Sequence, residues 1–197
     1  MQRKRYTGFI AGGILILLGI IVILTYNTLV NKEEIVKKQW AEVQNTYQRR
    51  MDLVPSLVNV VKGVSDFEQS TLEKIAESRA NALKIVTNTT ISADNYNNQE
   101  QLQDTLAAAV NRVIVLIEKY PTLKGTAAYA GLQTQLEGTE RRIKVERNKF
   151  NAAVNNYNRK IRSFPANIVA RIFGFKKKEG FVADAGTGRA VEINFKK

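Results

Sequence analysis

Residues 8–24 read GFIAGGILILLGIIVIL, seventeen small and apolar side chains without a break, with Arg3-Lys4-Arg5 just before them. As a helix, the step from Tyr6 to Tyr26 rises ~30 Å, the thickness of a bilayer's hydrocarbon core. Two tyrosines at that separation suit the two headgroup boundaries. A cleaved signal peptide is the competing reading. However, the run exceeds the roughly 7–15 residues of a secretory apolar core, and Thr25-Tyr26-Asn27-Thr28 offers no small-x-small cleavage site. The expectation is a retained membrane anchor over residues 8–25, preceded by a short basic tail, residues 1–7.

The bilayer is therefore the first expected partner. Gly8 and Gly12 form a GxxxG pair with Gly19 near the same face. That pattern either lets two anchors self-associate or reflects the ordinary abundance of glycine in membrane helices. The tight Arg3-Lys4-Arg5 cluster favours an N-terminus inside and a domain outside the cell. Lys32, Lys37 and Lys38 on the far side weaken the contrast.

About 170 residues remain beyond the anchor, the size of one domain. The formal net charge is +12. A basic domain held at a membrane meets anionic headgroups or envelope polymers first. Nucleic acid is not expected, because the basic residues are scattered among glutamates and form no recognition motif. Histidine and cysteine are both absent. Their absence removes thiol nucleophiles, imidazole acid–base chemistry and nearly every zinc, haem or iron–sulfur site. No cofactor, metal or catalytic residue is expected.

Residues 26–163 read as helix nearly throughout. Leu29, Val36, Trp40, Val43, Tyr47, Val54, Leu57, Val61 and Val64 recur at steps of three and four, which is one stripe on one helix face. The stripe keeps its phase across Pro55, so a kink and not a reversal is expected there. Gly63, then Ser65 with Glu68, read as a stop and a capping box. A second helix follows over about residues 66–86, burying Leu72, Ile75, Leu83 and Val86. Residues 87–98, TNTTISADNYNN, read as a loop. A third helix is expected over about 99–119, carrying Leu102, Leu106, Val110, Val113, Ile117 and Tyr120, with Pro121 ending it. The fourth runs from about Thr126 to Ser163. Its stripe is Leu132, Leu136, Ile143, Phe150, Val154, Tyr157, Ile161 and Phe164. Gly131 and Gly138 on it either permit a close helix contact, the favoured reading, or weaken the helix.

Four stripes joined by short loops predict an all-α antiparallel four-helix bundle with coiled-coil-like packing behind the N-terminal transmembrane helix. Helices one and four are long and two and three shorter, so the fourth returns the chain to the bilayer surface. Residues 164–197 then form a membrane-proximal segment and a glycine-rich tail. Within them Phe164, Ile168, Ile172, Phe173 and Phe175, beside Lys176, Lys177 and Lys178, have the composition of an interfacial segment. The same side chains could equally cap the open end of the bundle. The last nineteen residues hold either a short hairpin at Val191, Ile193 and Phe195 or a mobile tail.

Several stretches together resemble the LemA family of bacterial membrane proteins. They begin at Tyr26-Asn27-Thr28-Leu29-Val30 and Gln39-Trp40, and are strongest over residues 47–58, YQRRMDLVPSLV. They resume at Tyr120-Pro121-Thr122-Leu123-Lys124, Leu132-Gln133, Leu136-Glu137 and Thr139-Glu140-Arg141-Arg142-Ile143. They end at Phe150-Asn151, Tyr157-Asn158, Ile161-Arg162, Phe164-Pro165 and Phe173-Gly174-Phe175. Gly125-Thr126-Ala127 departs from the segment usual after the Tyr-Pro turn. The resemblance implies a single-pass membrane protein with a helical-bundle domain, and no catalytic activity to carry over.

Two charged clusters are candidate sites: Arg49, Arg50 and Asp52 on the first helix, and Glu140, Arg142, Glu146 and Arg147 on the fourth. Arg50 and Arg147 fall close to core-facing phase, so each needs a carboxylate from across the bundle. A structural ion-pair network is the favoured reading, ahead of a partner or ligand site. Trp40, Tyr47, Tyr120 and Phe150 read as core packing, and Lys32-Glu33-Glu34 with Lys37-Lys38 as a solvated face. The functional expectation is a non-enzymatic interaction or scaffold module whose partner is another membrane or envelope protein. The alternative is binding of anionic lipid or envelope polymer through the basic membrane-proximal face.

Overall fold

The structure, a computed structural model, describes residues 2–62, 68–86 and 93–181, with side chains for 10, 12–62, 68–84 and 96–181. All secondary structure within them is helical. Helix α1, Gln2–Lys62, is one unbroken helix of 61 residues. Among the described residues it is the one helix long and apolar enough to cross a membrane, with a window of mean hydropathy 2.4. Ile14, Leu15, Ile16 and Leu17 are each more than half exposed, so among the described residues nothing covers this stretch. A Cβ placed on Gly12 or Gly19 would meet nothing within 4 Å. Both glycines are thus open to a neighbour; the Gly8 side of the seam lies outside the described side chains.

Further along α1 the expected stripe is buried at every described position: Leu29, Val36, Trp40, Val43, Tyr47, Val54, Leu57 and Val61. Pro55 sits inside the helix. Proline has no N–H, so the carbonyl four residues earlier, at Met51, loses its helical donor. Arg79 replaces it, donating from Nε to the Met51 oxygen at 2.9 Å. Helix α2, Gln69–Val86, which carries Arg79, thereby docks at the backbone acceptor that Pro55 frees on α1.

Helix α3 spans Ala93–Ile117. The loop expected over 87–98 is corrected in its second half: residues 93–98 are helical. Tyr96 is 2% exposed and belongs to the core. The physical reason lies in phase, because Tyr96, Gln99, Gln103, Leu106, Val110, Val113 and Ile117 repeat at three and four and are all buried. Two glutamines in that stripe disguise its beginning. The helix closes at Ile117, and Pro121 opens a short helix α4, Pro121–Lys124, where its missing N–H is harmless.

Helix α5, Ala127–Arg162, starts as expected at Thr126, whose hydroxyl oxygen accepts from the Tyr129 N–H at 3.2 Å. Its stripe is buried from Leu132 to Ile161, while Phe164 is 80% exposed and lies off it. The helix ends at Arg162, so residue 164 no longer follows the helical period. Among the described residues nothing makes the close contact expected at Gly131 and Gly138: an added Cβ at either meets nothing within 4 Å.

Contacts give the directions. Trp40 meets Phe150, Tyr47 meets Arg147 and Arg50 meets Glu140, so α5 descends as α1 ascends. Trp40 also meets Tyr96 and Arg50 meets Gln103, so α3 runs with α1. The buried side chains form two clusters, one around Trp40, Tyr47, Phe150 and Tyr157 near the apolar stretch. The other surrounds Met51, Leu57, Ile75, Leu106 and Leu132 at the far end. The stop and capping box at 63–65, Asp66, Val86, the start of the loop and the hairpin residues 191–195 lie outside the described residues or side chains.

Candidate functional site

Two places gather the polar and charged groups. Between the two cores, Arg50 is 3% exposed. One terminal nitrogen donates to the Gln103 carbonyl at 2.9 Å and to its side-chain oxygen at 3.3 Å. The other pairs with Glu140. One turn closer to the apolar stretch, Arg147 Nε donates to the Tyr47 hydroxyl at 2.9 Å. Its terminal nitrogens reach Glu100 at 3.0 Å and Asp104 at 3.4 Å. Burial pushes the Tyr47 hydroxyl up to about 12, although the adjacent Arg147 charge pulls the other way. Burial also works against the Arg147 charge, but Tyr47, Glu100 and Asp104 outweigh it and hold the guanidinium above its usual range.

The expected clusters therefore divide. Arg50 and Glu140 come together as a pair, and Arg147 finds carboxylates on α3. Glu146, although buried, turns to Lys149 at 3.0 Å. Asp52 accepts from Gln48 at 2.8 Å. Arg49 and Arg142 stay exposed across a shallow cleft of about 290 Å³ that Thr46 and Thr139 also line. Glu100, Gln103 and Asp104 went unread in the sequence, although Gln103 sits in phase with the α3 stripe. Among the described residues no three acidic side chains gather as a metal site would require.

The second place is the membrane-proximal end. Helix α6, Ala166–Ile172, tucks Ala166, Val169 and Ala170 into the core. Its other face leaves Ile168 52%, Ile172 70% and Phe173 51% exposed, continuing from Phe164. The Phe173 ring lies 4.9 Å from that of Tyr26, centroid to centroid, and the Phe175 ring 5.7 Å. One face of the segment thus caps the core, as one of the two readings expected, while the other stays bare beside Tyr26. Gly174, at φ 77°, takes the left-handed turn that ends α6, and the Phe175 N–H reaches back to the Ala170 carbonyl at 2.9 Å.

Beyond that turn, residues 175–181 form no helix and are hydrogen-bonded along α5. Asn158 donates to the Lys178 carbonyl at 2.7 Å and accepts from its N–H at 3.0 Å. Asn151 does the same for Phe181, at 3.2 and 2.8 Å. Lys178 also pairs with Glu33 at 2.8 Å, so Glu33 is not the freely solvated group its neighbours suggested. Lys176 and Lys177 are exposed.

With this geometry in view, the likeness to other proteins is informative. Residues 39–195 match the model of the LemA family. Magnetosome protein MamQ 2 of Paramagnetospirillum magneticum is 26% identical over 178 residues, covering 81% of this chain and 65% of that protein. Magnetosome protein MamQ of Magnetospirillum gryphiswaldense is 37% identical over 73 residues, 37% of this chain and 27% of that protein. Protein LemA of Metamycoplasma hominis is 25% identical over 145 residues, 74% of this chain and 63% of that protein. The chain spans less than two-thirds of the length of the curated relatives it matches, and none of their names states a reaction.

Proposed function

The chain belongs to the LemA family, and on that premise we propose that it is a membrane-anchored, non-enzymatic helical module that binds other membrane or envelope proteins. The observation that carries the reading is the continuity of α1 from Gln2 to Lys62. Its exposed apolar beginning and its buried stripe belong to one helix, so the domain is mounted on its anchor without a hinge. An antiparallel four-helix bundle is the arrangement that the helix directions support. Arg3-Lys4-Arg5 supports an N-terminus inside and the domain outside. Crosslinking in intact cells from Lys38, Gln69, Asn98 and Lys144, all exposed, tests the reading. One recurrent protein partner supports it; self-crosslinks alone, or none, would overturn it.

A second reading rests on the bare face of α6. Phe164, Ile168, Ile172 and Phe173 are exposed beside Tyr26, with Arg171, Lys176 and Lys177 also exposed. Apolar side chains rimmed by cations suit an interface rich in anionic lipid. Because the chain has no cysteine, Ile172→Cys gives a unique nitroxide site. In bilayers of anionic lipid it should collide more with oxygen than with a water-soluble nickel complex. The opposite preference would exclude lipid contact.

A further inference from the structure

The seven residues 175–181 are held in a way that does not depend on most of their side chains. Asn151 and Asn158 each form the two-way hydrogen bond that a neighbouring strand would offer, donor to carbonyl and acceptor to N–H. Tyr157 adds a fifth bond, from its hydroxyl to the Lys176 carbonyl at 3.0 Å. The spacing matches as well. Seven residues of helix rise ~10.5 Å, and three residues of extended chain advance ~10 Å. Any extended segment laid in this direction would present backbone groups to both asparagines.

Beyond Phe175, whose ring packs against Tyr26 and the core, side-chain selection falls at three positions. Phe181 enters a cage of aromatic rings, 5.8 Å from Trp40, 6.3 Å from Tyr96 and 5.4 Å from Phe150, with the Arg147 guanidinium 5.0 Å from its centroid. Lys178 pairs with Glu33 and lies 5.5 Å from the Tyr157 ring. At Gly180 a Cβ would come within 2.5 Å of the Asn151 Oδ1, so a side chain there would push aside the amide that holds Phe181. The tail also leaves something unmet. The Tyr96 hydroxyl is buried with no partner among the described residues, and Tyr96 lines a cavity of about 770 Å³ with Lys176, Lys177 and Lys178. An occupant able to reach that hydroxyl would be held better than the tail is.

We propose that the α5 face from Asn151 to Asn158, with the cage of Trp40, Tyr96 and Phe150, is a binding site for an extended peptide segment of pattern Lys-x-Gly-Phe, and that residues 175–181 occupy it as a built-in competitor. A partner protein engages by displacing the tail. This names a partner class for the interaction reading and rests on it. Peptide titration of the purified chain nevertheless reports the groove alone, so its failure and a failure of crosslinking in cells are distinguishable.

The probe is a fluorescein-labelled FKKKEGF peptide, residues 175–181, added to the full chain in detergent and read by anisotropy. A tethered tail competes at high effective concentration. Phe181→Ala, which loosens the tail, should therefore bind the probe at least about tenfold more tightly than the unaltered chain. Adding Asn151→Ala and Asn158→Ala should abolish that binding. No saturable binding to the Phe181→Ala chain, or binding indifferent to both asparagines, overturns the proposal. A second measurement avoids disturbing the core: a nitroxide on Glu179→Cys, an exposed position, should become mobile when excess unlabelled peptide is added. A spectrum unchanged at saturating peptide equally overturns it.

Discussion

The membrane-side and far halves of the domain bury comparable stripes with different materials. The far core is mainly aliphatic, with Met51, Leu57, Ile75, Leu106, Val113, Ile117 and Leu132 drawn from α1, α2, α3 and α5. The membrane-side core relies on Trp40, Tyr47, Tyr96, Phe150, Tyr157 and Phe181. Helix count explains the difference. Helix α2 has 18 residues against 36 in α5, and none of its described side chains joins the membrane-side cluster. Where buried side chains of α1, α2, α3 and α5 meet, branched aliphatic chains fill the space. Where two long helices run on almost alone, wide aromatic rings, α6 and the strap at 175–181 close the open flank.

The largest effect should come from the core that has fewer helices. Phe150→Ala removes a ring that is 0% exposed and should destabilise the chain by about 3–5 kcal/mol. Leu57→Ala in the far core should cost about 2–4 kcal/mol. Thermal melts in detergent, followed by circular dichroism, compare the two. A milder loss at Phe150 than at Leu57 would mean that the strap and α6 can close over the gap.

Alkali should probe the membrane-side core next. Tyr47 keeps its proton up to about 12 when folded, against the ordinary 10.0 when unfolded. Its contribution is therefore complete below pH 10 and lost as pH climbs towards 12, by roughly 2–3 kcal/mol. Urea midpoints measured across that window should fall less steeply in Tyr47→Phe. An identical slope would mean that the hydroxyl titrates as if in water.

At the far core, Arg79→Met leaves the Met51 carbonyl without a donor and should cost about 1–3 kcal/mol. In a Pro55→Ala background the restored N–H serves that carbonyl, so the same substitution should become nearly neutral. A double-mutant cycle with zero coupling would refute the link between Pro55 and Arg79. The smallest effect is a gain. Gly138→Ala on α5 meets open space and should stabilise by roughly 0.5–1 kcal/mol. A loss there would reveal a second molecule packed on that face.

Most of the helices were legible because burial imposes a period of three and four on any helix with one dry face. What escaped reading were the polar members of that period. Gln99 and Gln103 hide the start of α3, and with it Tyr96. The carboxylate partners of Arg147, Glu100 and Asp104, lie on that same helix, and which helix would face Arg147 is not written in any one segment. The two asparagines on α5 stood in recognisable pairs, Phe150-Asn151 and Tyr157-Asn158, yet what they grip is a backbone, and backbone leaves no trace in side-chain pattern.

By itself the sequence determined the long apolar helix, the stripes, the start of the last long helix near Thr126 and the exclusion of imidazole and thiol chemistry, because composition and period act locally along the chain. Only the tertiary structure decided that Arg79 completes the helix at Pro55, that Arg50 and Arg147 take different partners, and that residues 175–181 lie in a groove. Each of these joins groups far apart in sequence, and which distant groups meet depends on helix directions and lengths together, not on any one segment.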